Sequence, residues 1–279
     1  MSETLLSGDD LERLTEFLYR QTGMRFGEAK RYYIERRLAD RMAATDSPSF
    51  PVYFGVLRSD DREREALINA FTVNETYFYR EEHQLTCLGQ DLLPDLITTR
   101  RPGDKIRIWS APCSTGEEAY SIAIWLLENW RMVDAYNVEI IGSDIDTRAL
   151  DDARAGLYGE RALSRLPDSV KAAYFEQTKR HHWQLIDDLR ESVIFNQANL
   201  VDGPSLATQG TFDVIFCRNV LIYFDEASRL TAANNLYDRL APGGYLCLGH
   251  TESMNRISER FTTRRFQDAV VYQRPGRAA

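Results

Sequence analysis

Apolar residues recur at helical spacing through the first seventy positions. Leu11, Leu14, Phe17 and Leu18 share a face after Asp9 and Asp10, which favour a helix N-terminus. Gly23 and Gly27 punctuate a break. A second run carries Tyr33, Ile34, Leu38 and Met42 and stops before Thr45-Asp46-Ser47-Pro48. A third segment surrounds Tyr53, Phe54 and Leu57, and a fourth, starting near Asp60-Asp61, carries Leu67, Ile68 and Phe71. No strand pattern precedes residue 100. An all-helical unit is expected over 1–74, then a linker over 75–99 and a second domain over 100–279.

Beyond residue 100 short apolar runs alternate with helical ones. Strands are predicted at 105–109, 138–144, 193–200, 212–219, 245–249 and 270–274, and helices at 117–129, 147–155 and 226–240. Pro242-Gly243-Gly244 reads as a turn. Alternation of this kind predicts an α/β fold with a parallel, doubly wound sheet. The stretch 174–192 interrupts it, and its WQLI and ESVIF strings predict a small antiparallel insertion at about 174–195.

In such sheets ligands sit beyond the carboxyl ends of the strands. The first strand exits into Ser110-Ala111-Pro112-Cys113-Ser114-Thr115-Gly116, small residues that let a ligand approach the backbone. Glu117 and Glu118 follow, where a dinucleotide enzyme would seat a pyrophosphate. Carboxylates there repel phosphate and welcome a cation; they also suit the helix dipole without any ligand. Asp144 ends the second strand as a candidate acceptor for ribose hydroxyls, with Asp146 as the cap of the next helix. The pair fits an adenosine whose far end is positive and bears no phosphate, as in S-adenosyl-L-methionine. Asn199 and Leu200 suit an adenine edge and face, or a plain turn. Arg218 and Asn219 fall at the carboxyl end of the fourth strand, where a buried Arg-Asn pair is costly without partners.

The chain of 279 residues has a net charge of −8, which disfavours a nucleic-acid partner. No apolar run approaches the ~18–20 residues that span a bilayer, and the acidic start lacks a signal-peptide pattern. Cys87, Cys113, Cys217 and Cys247 lie far apart with no CxxC spacing, so reduced thiols in a cytoplasmic protein are expected. His83, His181, His182 and His250 are scattered, and no metal site is expected.

Five stretches together resemble one family, the chemotaxis receptor methyltransferases (CheR): TVNETYFYRE (72–81), RIWSAPCSTGEEAYSIAI (107–124), GSDIDTRALDDARAGLY (142–158), FDVIFCRNVLIYF (212–224) and GGYLCLGHTES (243–253). The resemblance implies a class I S-adenosylmethionine-dependent methyltransferase fold, Rossmann-like, with a helical N-terminal domain and a small β-subdomain. It implies methyl transfer to glutamates on the cytoplasmic helical domain of methyl-accepting chemotaxis receptors, with S-adenosyl-L-homocysteine as product. It also implies cofactor contacts at Asn74, Thr76, Arg80, Glu117, Asp144, Asn199, Leu200, Arg218 and Asn219.

A glutamate acceptor, with a pKa near ~4.3, is already ionised at neutral pH and needs no general base. Arg218 and Tyr223 are candidates for orienting it, though Tyr223 also suits a core. Residues 20–41 carry seven bases against three acids, a local excess of +4. The family's use of a basic helix makes Lys30, Arg36, Arg37 and Arg41 candidates for receptor docking; a solvated face is the plain alternative. The region 174–195 has no glycine, so no binding of a receptor's C-terminal pentapeptide is expected. A monomer recruited to membrane receptor arrays is expected, and the rivals are a methyltransferase of another acceptor or a non-catalytic adaptor.

Overall fold

The computed structural model describes residues 5–178 and 181–276. Helices α1 (Gly8–Thr22), α2 (Arg31–Ala44), α3 (Phe50–Ser59) and α4 (Asp61–Phe71) form the N-terminal unit. The predicted apolar stripes meet in its core, where Leu14, Leu18, Ile34, Leu38, Tyr53, Leu57 and Leu67 are fully buried. Ser7 caps α1 by accepting from the Asp10 N–H. Gly23, at φ 72°, ends it by returning its own N–H to the Tyr19 carbonyl.

Among the described residues ten strands follow: β1 (Lys105–Ser110), β2 (Asn137–Asp144), β3 (Leu157–Gly159), β4 (Phe175–Gln177), β5 (His182–Leu185), β6 (Val193–Gln197), β7 (Phe212–Cys217), β8 (Leu240–Leu248), β9 (Thr262–Arg265) and β10 (Val270–Gln273). Seven make one sheet in the order β6-β2-β1-β7-β8-β10-β9. From β6 to β8 neighbours run parallel, while β10 is antiparallel to both β8 and β9. The chain builds outward from β1 to β6, then crosses to β7 and builds the other way. The switch in strand order therefore lies between β1 and β7, where such sheets bind ligands.

The structure corrects several expectations. The sheet is mixed rather than wholly parallel, because β10 runs antiparallel to β8 and also to β9, a strand no alternation announced. Pro242-Gly243-Gly244 lies inside β8, where the register against β7 shifts between Phe212 and Val214. A Cβ on Gly244 would stand 2.9 Å from the Asp213 carbonyl oxygen, so the strands close there only around glycine. The small antiparallel sheet, in the order β3-β5-β4, recruits Leu157–Gly159 from upstream. It excludes Val193–Gln197, the parallel edge strand of the main sheet. Lys179 and Arg180, within the predicted insertion, lie outside the described residues. The expected linker is an irregular strap over 72–77 that turns over 78–81. Helical structure follows over Glu82–Cys87, Leu88–Leu92 and Leu93–Ile97, and Leu85, Leu88, Leu92 and Leu93 join the sheet's core. A Cβ on Gly89 would come within 2.2 Å of the Trp125 ring, so this helix reaches the next through a glycine.

Candidate functional site

The parallel strands β1, β2 and β7 end at one cleft, roofed by the strap and the N-terminal unit. Its floor is the loop after β1. Gly116, at φ 92°, turns that loop into the helix Glu117–Asn129. Among the described residues, two of the six non-glycine residues with left-handed φ, Ser114 and Asn219, line this cleft, and two more, Tyr79 and Glu81, flank Arg80 on the strap. Backbone held there costs energy and persists where surroundings over-determine it.

Asp144 is 5% exposed and accepts the Ser114 N–H at 2.8 Å and the Asp146 N–H at 2.9 Å. Burial pushes its carboxyl up to about 6, against the pull of those two backbone donors. Asp146 caps the helix Thr147–Ala155, as expected, and also accepts from Thr72 Oγ1 at 2.5 Å and Asn74 Nδ2 at 2.7 Å. Asn74 in turn accepts the Ser114 hydroxyl at 3.2 Å, so the strap is stitched to both the β1 and β2 exits.

Glu117 is buried and accepts the Thr115 hydroxyl at 2.6 Å; burial raises its pKa. Glu118 accepts from Ser110 Oγ at 2.7 Å and from Arg218 at 2.9 Å. Arg218 is buried at the end of β7, donates to the Arg80 carbonyl at 2.8 Å and pairs with Glu81 at 3.3 Å. Burial would raise the Glu81 pKa, but Arg218 and His250 outweigh it and hold that carboxyl below its ordinary value. The Arg218 Nε is buried without a hydrogen-bond partner. Arg218 and Asn219 line the cleft together with Thr76, Tyr77, Arg80 and Glu118.

A second part of the cleft, about 290 Å³, extends from Asp144 and Ile145 to Phe26, Lys30, Tyr33 and Tyr223. Lys30 Nζ stands 5.9 Å from the ring centroids of both Phe26 and Tyr223. A third, small recess is lined by Leu200, Asn199, Met24 and Val220.

Three of the expected site residues carry internal contacts. The Asn199 carboxamide donates to the Gln21 carbonyl at 2.7 Å and accepts the Val201 N–H, tying α1 to the sheet beside the small third recess. Arg41 forms a two-pronged pair with Glu63, at 3.0 and 2.5 Å, inside the helical unit. Arg37 donates to the Ala70 carbonyl and stacks on Tyr33 at 4.3 Å. Both are turned to internal partners, so the shared docking face expected of Arg37 and Arg41 is not presented. Arg36 is exposed and Lys30 faces the cleft.

Sequence reasoning missed Glu81, Thr72 and Glu252. Glu252 accepts the N–H groups of Asn219, Leu221 and Gly249 at 2.8, 2.8 and 2.9 Å, fixing the turn that presents Arg218. It stood in the quoted GGYLCLGHTES string, but nothing in that string assigns it these partners. Thr72 stood in the quoted TVNETYFYRE string, but its partner lies 74 positions away. The cysteines are all buried, and burial drives the Cys113, Cys217 and Cys247 thiols well above their usual pKa, which disfavours a thiolate route.

A buried arginine nitrogen without a partner, a small-residue loop and acids at the loop's end match a ligand that offers ribose hydroxyls, a cationic centre and a carboxylate. The fold is that of the class I S-adenosyl-L-methionine-dependent methyltransferases. Residues 74–270 match the family model "CheR methyltransferase, SAM binding domain", and residues 9–72 match "CheR methyltransferase, all-alpha domain". The chain is 46% identical to chemotaxis protein methyltransferase 2 of Vibrio cholerae serotype O1, over 99% of this chain and 96% of that protein. It is 37% identical to chemotaxis protein methyltransferase 2 of Pseudomonas aeruginosa, over 90% of this chain and 88% of that one. Among solved structures, the N-methyltransferase NodS from Bradyrhizobium japonicum WM9 with S-adenosyl-L-homocysteine aligns at TM-score 0.40 and 16% identity, over 77% of this chain and 96% of that chain. The chain belongs to the CheR methyltransferase family, and its cofactor is S-adenosyl-L-methionine. No helix among the described residues is long and apolar enough to cross a membrane.

Proposed function

We propose that this methyltransferase esterifies glutamate side chains on the cytoplasmic helical domain of chemotaxis receptors. The observation that carries the reading is the charge arrangement of the cleft. Its acids are engaged, Glu118 and Glu81 by Arg218 and Asp144 by backbone N–H groups, while Arg80 and Lys30 line its two halves. Such a cleft accepts an anionic acceptor and has no proton to remove from it. When bound, the cofactor supplies an electrophilic methyl carbon on a sulfonium. Glu117 and Asp144 hold its cationic end and its ribose, Asn74, Thr76 and Arg80 close the strap over it, and Leu200 with Asn199 borders the adenine. Arg218 and Asn219 fix the methionine side, and Arg218 acts on the acceptor only by keeping Glu118 and the strap in place. Tyr223 and Lys30 border the acceptor path. The protein's contribution is alignment of the reacting atoms and exclusion of water.

Residues 1–74 form the docking domain in this reading, with Arg36 and Lys30 as the bases that meet the acidic receptor helices. The β-subdomain is not expected to bind a receptor pentapeptide. The protein acts as a monomer in the cytoplasm, recruited to receptor arrays. Incubation with receptor-bearing membranes and methyl-labelled cofactor tests the chemistry. Label released as methanol by mild alkali marks a carboxyl ester and is the expected result. Alkali-stable label, or label on RNA or small molecules instead, would contradict it.

A further inference from the structure

We infer that Tyr158 is a positioning residue for the cofactor loop, and that the small antiparallel sheet is that loop's buttress. The inference rests on the reading of residues 110–118 as the seat of the cofactor's cationic end. Tyr158 lies at the centre of β3 and is 4% exposed. Its hydroxyl donates to the Thr115 carbonyl at 2.9 Å, and the Thr115 hydroxyl donates to Glu117 Oε2 at 2.6 Å. A chain of two hydrogen bonds thus runs from the small sheet, through the loop, to the buried acid. The loop packs directly on this residue: a Cβ on Gly116 would stand 3.2 Å from the Tyr158 hydroxyl and 2.9 Å from Ala153 Cβ.

The same subdomain grips the strap from its other side. The Phe78 ring meets Tyr158 edge-on at 4.8 Å and Phe175 of β4 at 5.2 Å. The Phe78 N–H donates to the Ala162 carbonyl at 2.9 Å, and Arg161 pairs with Glu75. One small sheet therefore braces both segments that enclose the cofactor's charged end. Burial first, then the neighbouring Glu117, push the Tyr158 phenol well above its usual pKa, so it remains a donor at any working pH.

Tyr158→Phe keeps the ring and removes only the hydroxyl bond. The dissociation constant for S-adenosyl-L-homocysteine, read by calorimetry, should rise about five- to tenfold, the worth of one buried hydrogen bond. The KM for receptor at saturating cofactor should stay within about twofold, since the acceptor path is untouched. Tyr174→Phe is the matched control: it removes a hydroxyl bond of 2.6 Å from the same subdomain to Glu128, at the far end of the same helix, and should leave that affinity unchanged. In a Glu117→Gln background the Tyr158→Phe effect should largely vanish, because the charge that the braced loop positions is gone even though the amide oxygen still accepts from Thr115. Normal affinity in Tyr158→Phe beside weakened affinity in Glu117→Gln overturns the inference, as does equal weakening by Tyr174→Phe. Normal affinity in both Tyr158→Phe and Glu117→Gln would instead overturn the reading of the loop.

Discussion

Asp144 shows how one side chain carries both fold and function. Its two oxygens each take a backbone N–H, and these bonds hold the exits of β1 and β2 together. Because burial raises its pKa to about 6 while the unfolded carboxyl titrates near ~3.9, the folded state binds the proton more tightly. The stability contributed by protonated Asp144 is full below the unfolded pKa and is lost as pH rises through about 6. A ribose diol donates to the ionised form, so cofactor affinity runs the other way. Titrations with S-adenosyl-L-homocysteine should weaken as pH falls through about 6, with proton release on binding below that point; affinity flat from pH 5 to pH 8 would refute this role. At this scale the sequence was partly legible. Asp144 and Glu117 stood at strand and helix ends, where the chemistry was expected. The internal partners of Asn199, Arg37 and Arg41 were hidden, because a partner across 178, 33 or 22 positions leaves no local trace.

Elements were most legible where burial imposes a clear period. The stripes of α1 to α4 and the apolar runs of β1, β2 and β7 all lie where the pattern placed them. Three-residue β3 and β4 and the short, half-exposed β9 carry too few positions for any period to show. The helical element with the most instructive chemistry is α2. Arg41 joins it to α4 through Glu63, which also accepts the Tyr53 hydroxyl at 2.7 Å. Arg41→Ala leaves that carboxylate buried without its cation and should cost on the order of 3 kcal/mol of stability, read by chemical denaturation. Exposed Arg36 should behave oppositely: Arg36→Glu should change stability by no more than about 0.5 kcal/mol while lowering receptor methylation several-fold. If Arg36→Glu methylates receptor normally, docking runs over another surface.

Across the whole molecule, the two domains close on the cleft from opposite sides. On one side Asn69, Thr72 and Asn74 bond the Asp146-Thr147 corner. On the other, Met24 bridges Phe224, the Arg25 N–H reaches the Tyr223 carbonyl at 3.1 Å, and Asn199 holds the end of α1. That a helical unit precedes a strand-bearing one was visible in the change of texture near residue 100, although Leu85, Leu88, Leu92 and Leu93 before it pack in the sheet's core. The two domains' mutual grip was not, since it is made by polar side chains that read as caps and turns. The cleft's fit to a cationic nucleoside is tested most directly by a paired calorimetric titration of S-adenosyl-L-homocysteine into the intact protein and into Asp144→Asn. One-to-one binding that weakens at least about tenfold in the variant, the worth of a charged hydrogen-bond acceptor, is the predicted result. Equal affinity in the two proteins, or no binding to the intact one, would contradict it.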